Sequence, residues 1–392
     1  MTETSNETSI ELGQGTGPLK GVKVVEIAGI GPGPHACMLL ADLGADVIRV
    51  ERPGGQLLAG GAHNILNRGR PSVALNLKDP AAAAVVMDLV RDADVLVEGM
   101  RPGVTERLGL GPEDCHAVNP RLVYGRMTGW GQDGPFAQSA GHDMNYIAIT
   151  GTLFGLGQDP GRPHFPANLV GDFGGGSTYL VIGILAALLE AKVSGQGQVV
   201  DAAIVDGTAS LNAMTSGFLA GGQFKEERAA NLLDGGAPFY DVYETSDGRH
   251  LSVGSLEPQF FAELVRLLGV EDRCPGQFEM ERWDEMRALF TEVFASRTFA
   301  EWVEVFEGTD ACVAGIVTMS EAAEHPHMAA REIFVEHEGL LQPQPAPRFS
   351  RTRSSLGLPP SPEAGSHTRD ALTAWGVEDV DGLIERGVAV QV

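Results

Sequence analysis

The sequence predicts an α/β protein of two domains, a large one built on a parallel sheet and a smaller α+β one. Three observations predict it. From Lys20 onward, short apolar runs of strand type alternate with helical segments, the pattern of repeated βαβ units. Near residue 239 that alternation gives way to a hairpin signal followed by amphipathic helices. The chain has 392 residues, 43% of them hydrophobic, which suffices for a large core and more than one domain.

Residues 1–18 form a polar, acidic extension that reads as disordered and not as a signal peptide, since no basic stretch leads into an apolar one. The first part of the large domain, 19–205, begins with a strand at Val22 to Ile27 and the Gly/Pro turn Gly29 to Pro34. Helical character follows at Ala36 to Leu43, then a strand at Asp46 to Glu51. Pro80 suits the first turn of a helix to Arg91, and Val95 to Val97 is the next strand. After a short helix near Pro112 comes a strand at Leu122 to Met127. Gly174, Gly175 and Gly176 open a long helix to about Ala191, apolar almost all round and therefore expected to be buried. Its longest apolar run, Tyr179 to Leu189, is too short to span a bilayer. A strand at Val199 to Ala203 leads into a linker helix region, 206–238, with one helix around Gly207 to Ala220.

The small domain is expected at 239–318. Strands Tyr240 to Thr245 and His250 to Val253 flank Asp247-Gly248, a strong hairpin signal. Amphipathic helices follow at Phe260 to Leu268, Trp283 to Ala295 and Phe299 to Phe306. Residues 319–392 return to the large domain through a Pro-rich stretch, Gln342 to Pro347, with closing helices near His367 to Trp375 and Val380 to Glu385.

Charge excludes some functions. Acidic residues outnumber Lys and Arg by 52 to 28, a formal charge of −24 that repels nucleic acid and anionic membranes. An anionic ligand therefore needs its own basic cluster. The four cysteines show no paired spacing and read as reduced thiols of a cytoplasmic protein; the C-terminus matches no common peroxisomal address.

Gly29, Gly31 and Gly33 follow the first strand and Glu51 ends the next, close to a dinucleotide fingerprint. Pro34 stands where that motif needs its third glycine and Pro32 intrudes, so a tight turn is the better reading than nicotinamide binding. Basic residues do collect around the strand ends: Arg49, Arg52, Arg68, Arg70, Lys78, Arg101 and Arg107. Ligands of open α/β sheets sit there, so about half of these are expected to hold phosphate, the rest being solvated charges.

Among acid–base candidates, His142 follows a glycine-rich loop and begins a helix, where a cap or a core histidine is the plainer role. Asp172 precedes the apolar helix, the ordinary place of an N-cap. The three glycines after it exceed what a cap requires and suit close approach of a ligand to backbone N–H groups. Glu257 is by pattern a capping carboxylate. His325 and His327 mark a helix start sooner than a metal site, Ser177 lacks a nucleophile elbow, and no metal is needed.

Ordered blocks from about Pro18 to Ser350 closely resemble the α-methylacyl-CoA racemases of the family III CoA-transferase (CaiB/BaiF) superfamily. They are Leu19–Glu26, Gly29–His35, Asp42–Pro53, Glu98–Gly109, Thr128–Gln132, Gly141–Tyr146, Val170–Ser177, Gly197–Asp201 and Leu233–Pro238. The resemblance implies a Rossmann-like large domain, an interlocked homodimer, an acyl-CoA substrate and no metal or redox cofactor. It makes Arg52, Lys78, the Leu75 to Leu77 backbone, Gly99, Arg101 and Arg107 the CoA contacts. It makes His142 and Asp172 opposed bases, with Glu257 pairing with the histidine.

An isomerase of lipid metabolism follows from that resemblance, one that inverts a 2-methylacyl-CoA through an enolate, with one base on each face. The rival is a CoA-transferase, in which Asp172 attacks the thioester to form a mixed anhydride. The block around His142 favours the racemase, because the transferase scheme has no need of a second acid–base residue there. A relative that only binds acyl-CoA ranks last, since both bases are intact.

Overall fold

The computed structural model describes residues 15–55 and 61–392; the disorder expected of residues 1–14 lies outside them. Residues 15–17, expected to be disordered, pack on the turn at Leu43 and Gly44, where a side chain on Gly17 would overlap the Leu43 carbonyl. The chain forms two compact units. One holds the residues up to Thr150 with Ala167–Leu211 and Arg331–Val392; the other holds Gly151–Pro166 and Asn212–Ala330. The second unit thus takes in 151–166, most of the 206–238 region and 319–330, a wider range than 239–318.

The first unit is built on β1 (Lys23–Ile27), β2 (Asp46–Glu51), β3 (Ser72–Leu75), β4 (Val95–Glu98), β5 (Val123–Thr128) and β6 (Val199–Ala203). These six are parallel in the order β3-β2-β1-β4-β5-β6, and the short strand Ala389–Val390 closes the β3 edge antiparallel. All four residues of β3 and of β4 are buried, as strands covered on both faces require.

Helices cover both faces. They are α1 (Pro32–Asp42), α2 (Pro80–Arg91), α3 (Val104–Arg107), α4 (Pro112–Val118) and α5 (Asp143–Ile149). The short α6 (Thr152–Gly155) belongs to the other unit. A π-helix, Leu169–Ser177, runs on into α7 (Thr178–Ser194), and α8 (Ile204–Leu211) follows β6. Alternation along the strands divides the core. Val25, Ile27, Ile48 and Leu96 face α2, α4 and the closing helices Thr368–Ala374 and Val380–Glu385. Val24, Val47, Val95 and Val123 face α1 and α7. Each fully buried aliphatic side chain in these layers contributes roughly 1.5–3 kcal/mol.

The second unit adds α9 (Ala213–Ala220) and an antiparallel sheet of β7 (Tyr240–Glu244), β8 (His250–Gly254) and β9 (Val313–Gly315). Packed with it are α10 (Pro258–Leu268), α11 (Trp283–Phe294) and α12 (Phe299–Phe306), around Phe239, Phe290, Phe294 and Trp302.

Three differences from the sequence reading bear on the site. The triple glycine does not open a helix: it lies inside one, which continues as α7. That lead-in extends the apolar helix to 26 residues, Leu169–Ser194, long and apolar enough by length and composition to cross a membrane. Leu180, Ile184 and Ala187 instead join the sheet's core, as a core helix does. Nor is α7 buried all round, since Ile182, Leu189 and Val193 are exposed.

Candidate active site

Strand order reverses between β1 and β4, so the loops leaving their carboxyl ends diverge and open a crevice. A pocket of about 650 Å³ lies there. Its walls include Ile30, Gly31 and Pro32 after β1, Gly99 to Pro102 after β4, Thr128 to Trp130 after β5, and the segment ending at His142. Asn168 and Asp172 line it from the π-helix.

His142 is the N-cap of α5, with extended backbone and an exposed side chain. The Asn145 side chain accepts its backbone N–H at 3.0 Å, fixing the turn into the helix. Beneath the loop lies Tyr146, whose hydroxyl donates to the Gly141 carbonyl and whose ring meets Trp130 edge-on. Gly129 and Gly141 admit that ring, since a Cβ on Gly129 would overlap it and one on Gly141 would lie 2.7 Å from it.

Asp172 sits in the first turn of the π-helix, so it is not the N-cap the sequence suggests; Asn168 holds that place. A wide π turn is rare and concentrates at functional sites. Its first N–H groups lack partners within the helix, and the buried Asp143 carboxylate accepts the Asp172 N–H at 2.7 Å. The Asn168 amide donates to Asp172 Oδ2 at 3.1 Å. Burial, together with the Asp143 charge, raises the Asp172 pKa, partly offset by the Asn168 hydrogen bond and by His142. Gly31, at φ +67, presents backbone to the carboxylate: a Cβ there would lie 3.0 Å from Oδ2.

The glycines after Asp172 do a different job from the one expected. A Cβ on Gly175 would lie 2.6 Å from the Thr208 nitrogen, and one on Gly207 would overlap the Gly175 carbonyl. Gly176 meets Ile204 and Pro32, and Gly171 leaves room for the Asp143 carboxylate. They let α8 and α1 close on the π-helix.

Of the basic residues at the strand ends, three are internal. Arg70 pairs with Glu26 at 2.7 Å, Arg68 with Asp42 at 2.6 Å, and Arg49 lies within 3.7 Å of Glu26 and 3.4 Å of Glu51, all of them buried. These cations are committed to carboxylates and are not phosphate ligands. Arg52, Lys78, Arg101 and Arg107 are exposed at the carboxyl edge, and Arg101 lines the pocket with Gly99. Leu75 is buried in the core with its backbone paired to Ala389, and Leu77 packs on the same core. Glu257 belongs to the second unit, where it is the exposed N-cap residue of α10. Among the described residues no group of three His, Cys, Asp or Glu converges on a metal position.

Sequence reading gives no role to Asn168, Asp143 and Tyr146, and reads Gly31 only as part of a tight turn. The four-residue spacing of Asn168 and Asp172 is a helical signal, and Asp143 directly follows His142.

Residues 19–368 match the family model described as CoA-transferase family III. The chain belongs to that family. It is 44% identical over 360 residues to the α-methylacyl-CoA racemase of Mus musculus, spanning 91% of this chain and 93% of the relative. The Homo sapiens α-methylacyl-CoA racemase is 42% identical over the same spans. The crystal structure of a CaiB/BaiF family protein from Brucella suis superposes with a TM-score of 0.78 at 27% identity, covering 92% of this chain and 100% of that one. The family match thus takes in both units, from β1 to the start of the helix Thr368–Ala374.

Proposed function

We propose that this protein is a 2-methylacyl-CoA racemase, an isomerase that interconverts the two enantiomers by removing and returning the α-proton. The observation that carries the reading is that His142 and Asp172 line one pocket, beside a cation, in a family whose 44% identical member is named for this reaction.

An α-proton beside a thioester is weakly acidic, and inversion through a planar enolate needs a base on each face. In this reading Asp172 takes the proton of one enantiomer while His142 supplies one to the opposite face; the roles reverse for the other enantiomer. Burial gives the Asp172 carboxylate added basicity for that step. Glu257 orients His142 within a homodimer. Arg52, Lys78, Arg101, Arg107, Gly99 and the Leu75 to Leu77 backbone hold the CoA portion, their positive charge offsetting the acidic surface. The scheme needs no resident cofactor, and the protein works in the cytoplasm.

The test is incubation of one pure enantiomer of a 2-methylacyl-CoA in deuterated water. Deuterium at the α-carbon with loss of optical purity is the expected result. Neither exchange nor inversion, together with capture of an Asp172 acyl anhydride by hydroxylamine, would establish CoA transfer in its place.

A further inference from the structure

The first turn of α1 carries a histidine that the racemase scheme leaves unused. His35 Nδ1 lies 2.6 Å from Ser177 Oγ, at the end of the π-helix. Ser177 is fully buried, and its hydroxyl donates to the Phe173 carbonyl at 3.0 Å. That proton being committed, the serine oxygen accepts from His35 Nδ1–H, which sets the tautomer. The His35 ring also stacks on the Phe173 ring, with centroids 4.4 Å apart and 29° between planes. Phe173 directly follows Asp172. The histidine therefore grips both the ring and, through Ser177, the carbonyl of the residue next to the carboxylate.

The other side of the grip is equally built. Buried Arg70 donates to Glu26 on β1 at 2.7 Å and to the Pro34 carbonyl at 2.9 Å, pinning the turn that presents His35. Gly31, at the head of the same helix, faces Asp172 Oδ2. Burial, helped by the Arg70 and Arg68 charges, lowers the His35 pKa to about 4, so the ring stays neutral and the bond intact near neutral pH.

We infer that His35 is a positioning residue for Asp172: with Ser177 it clamps Phe173 and so fixes the wide turn that aims the carboxylate into the pocket. The inference rests on the racemase reading, in which each base serves one enantiomer. A π turn has poorer internal geometry than an α turn, so an external clamp is what keeps it in register.

The test follows α-deuterium uptake separately from each pure enantiomer of a 2-methylacyl-CoA, using the full-length protein. The Asp172→Asn variant identifies the enantiomer that Asp172 deprotonates. His35→Phe keeps the stack and loses the donor; Ser177→Ala removes the hydroxyl that accepts from His35 and donates to the Phe173 carbonyl, and carries the test if His35→Phe does not fold. Each is expected to slow uptake from the Asp172 enantiomer at least about tenfold, as small misplacement of a reacting group does. Uptake from the other enantiomer should stay within about twofold, since its proton leaves to His142. The double variant should be no slower than either single one, because one clamp is lost only once. His35→Asn, whose amide can donate to Ser177, should recover most of the rate. Equal slowing with both enantiomers, or unchanged uptake in both single variants, overturns the inference. No uptake by the unsubstituted protein refutes the racemase reading instead.

Discussion

His142 and Asp172 line the same pocket on backbones of opposite kinds. His142 stands exposed at a helix N-cap, held by local bonds: the Asn145 side chain in front of it and Tyr146 beneath its loop. Asp172 is half-buried inside a widened stretch of helix, held by Asn168 four residues before it and mostly by contacts far away in sequence: Asp143, α1 and α8. A base that can be placed by its neighbours in sequence is simple to position. A base that must be partly desolvated to gain strength has to be placed by packing, and the glycines at 171, 175, 176 and 207 are the cost of that packing.

The largest effect expected is on the two proposed bases. Asp172→Asn and His142→Gln should each lower racemisation by about 10²–10⁴-fold, while deuterium uptake survives from a different enantiomer in each variant. Loss of both uptakes in either variant would break the comparison by making the two bases interdependent.

Next in size is Gly175→Ala. The added methyl must displace the α8 backbone at Thr208, so it should destabilise the fold by roughly 1–3 kcal/mol, read from the urea midpoint. Asp143→Asn tests the electrostatic part. It keeps an oxygen to accept the Asp172 N–H and removes the like charge, so the Asp172 pKa should fall. A carboxylate with a lower pKa stays ionised to lower pH, so the acid limb of uptake from the Asp172 enantiomer should move down. A limb that does not move, or moves up, would mean that Asp143 acts by geometry alone. The smallest effect expected is a gain. Gly33, in the first turn of α1, has no atom within 4 Å of its missing Cβ and a negative φ, so Gly33→Ala should stabilise by about 0.5–1 kcal/mol. A loss there would extend the packing requirement from the π-helix to α1.

The same contrast explains what could be read from the chain. Strand Asp46–Glu51 and helices Pro80–Arg91, Phe299–Phe306 and Val380–Glu385 are legible to the residue, and local signals such as Asp79-Pro80 and the Thr298/Glu301 capping box bound two of them. His142 at a helix start is legible because its signals too are local. The resemblance supplies Asp172, but its setting inside a π-helix has no local signature. Nor does sequence tell a phosphate-binding arginine from one buried against a carboxylate. Arg68 and Arg70 find Asp42 and Glu26 only once the sheet has assembled. Strand β3 escapes a reading of the chain although β4, equally short, does not: Ser72 and Ala74 interrupt its run, whereas Val95-Leu96-Val97 is continuously apolar.

A π-helix holds one residue more than the α-helix it interrupts, which bears on how this protein tolerates changes of length. Deleting a single residue between Leu169 and Ser177 would let the segment relax into ordinary α geometry and run without a break into α7. Hydropathy and helix propensity would barely change. Yet Asp172 lies inside the widened stretch, so its facing depends on that extra residue, and in α geometry the carboxylate would turn away from the pocket. The segment can therefore accept substitutions at several positions while its length stays fixed, and a chain one residue shorter there would keep its fold and lose the proposed base at Asp172.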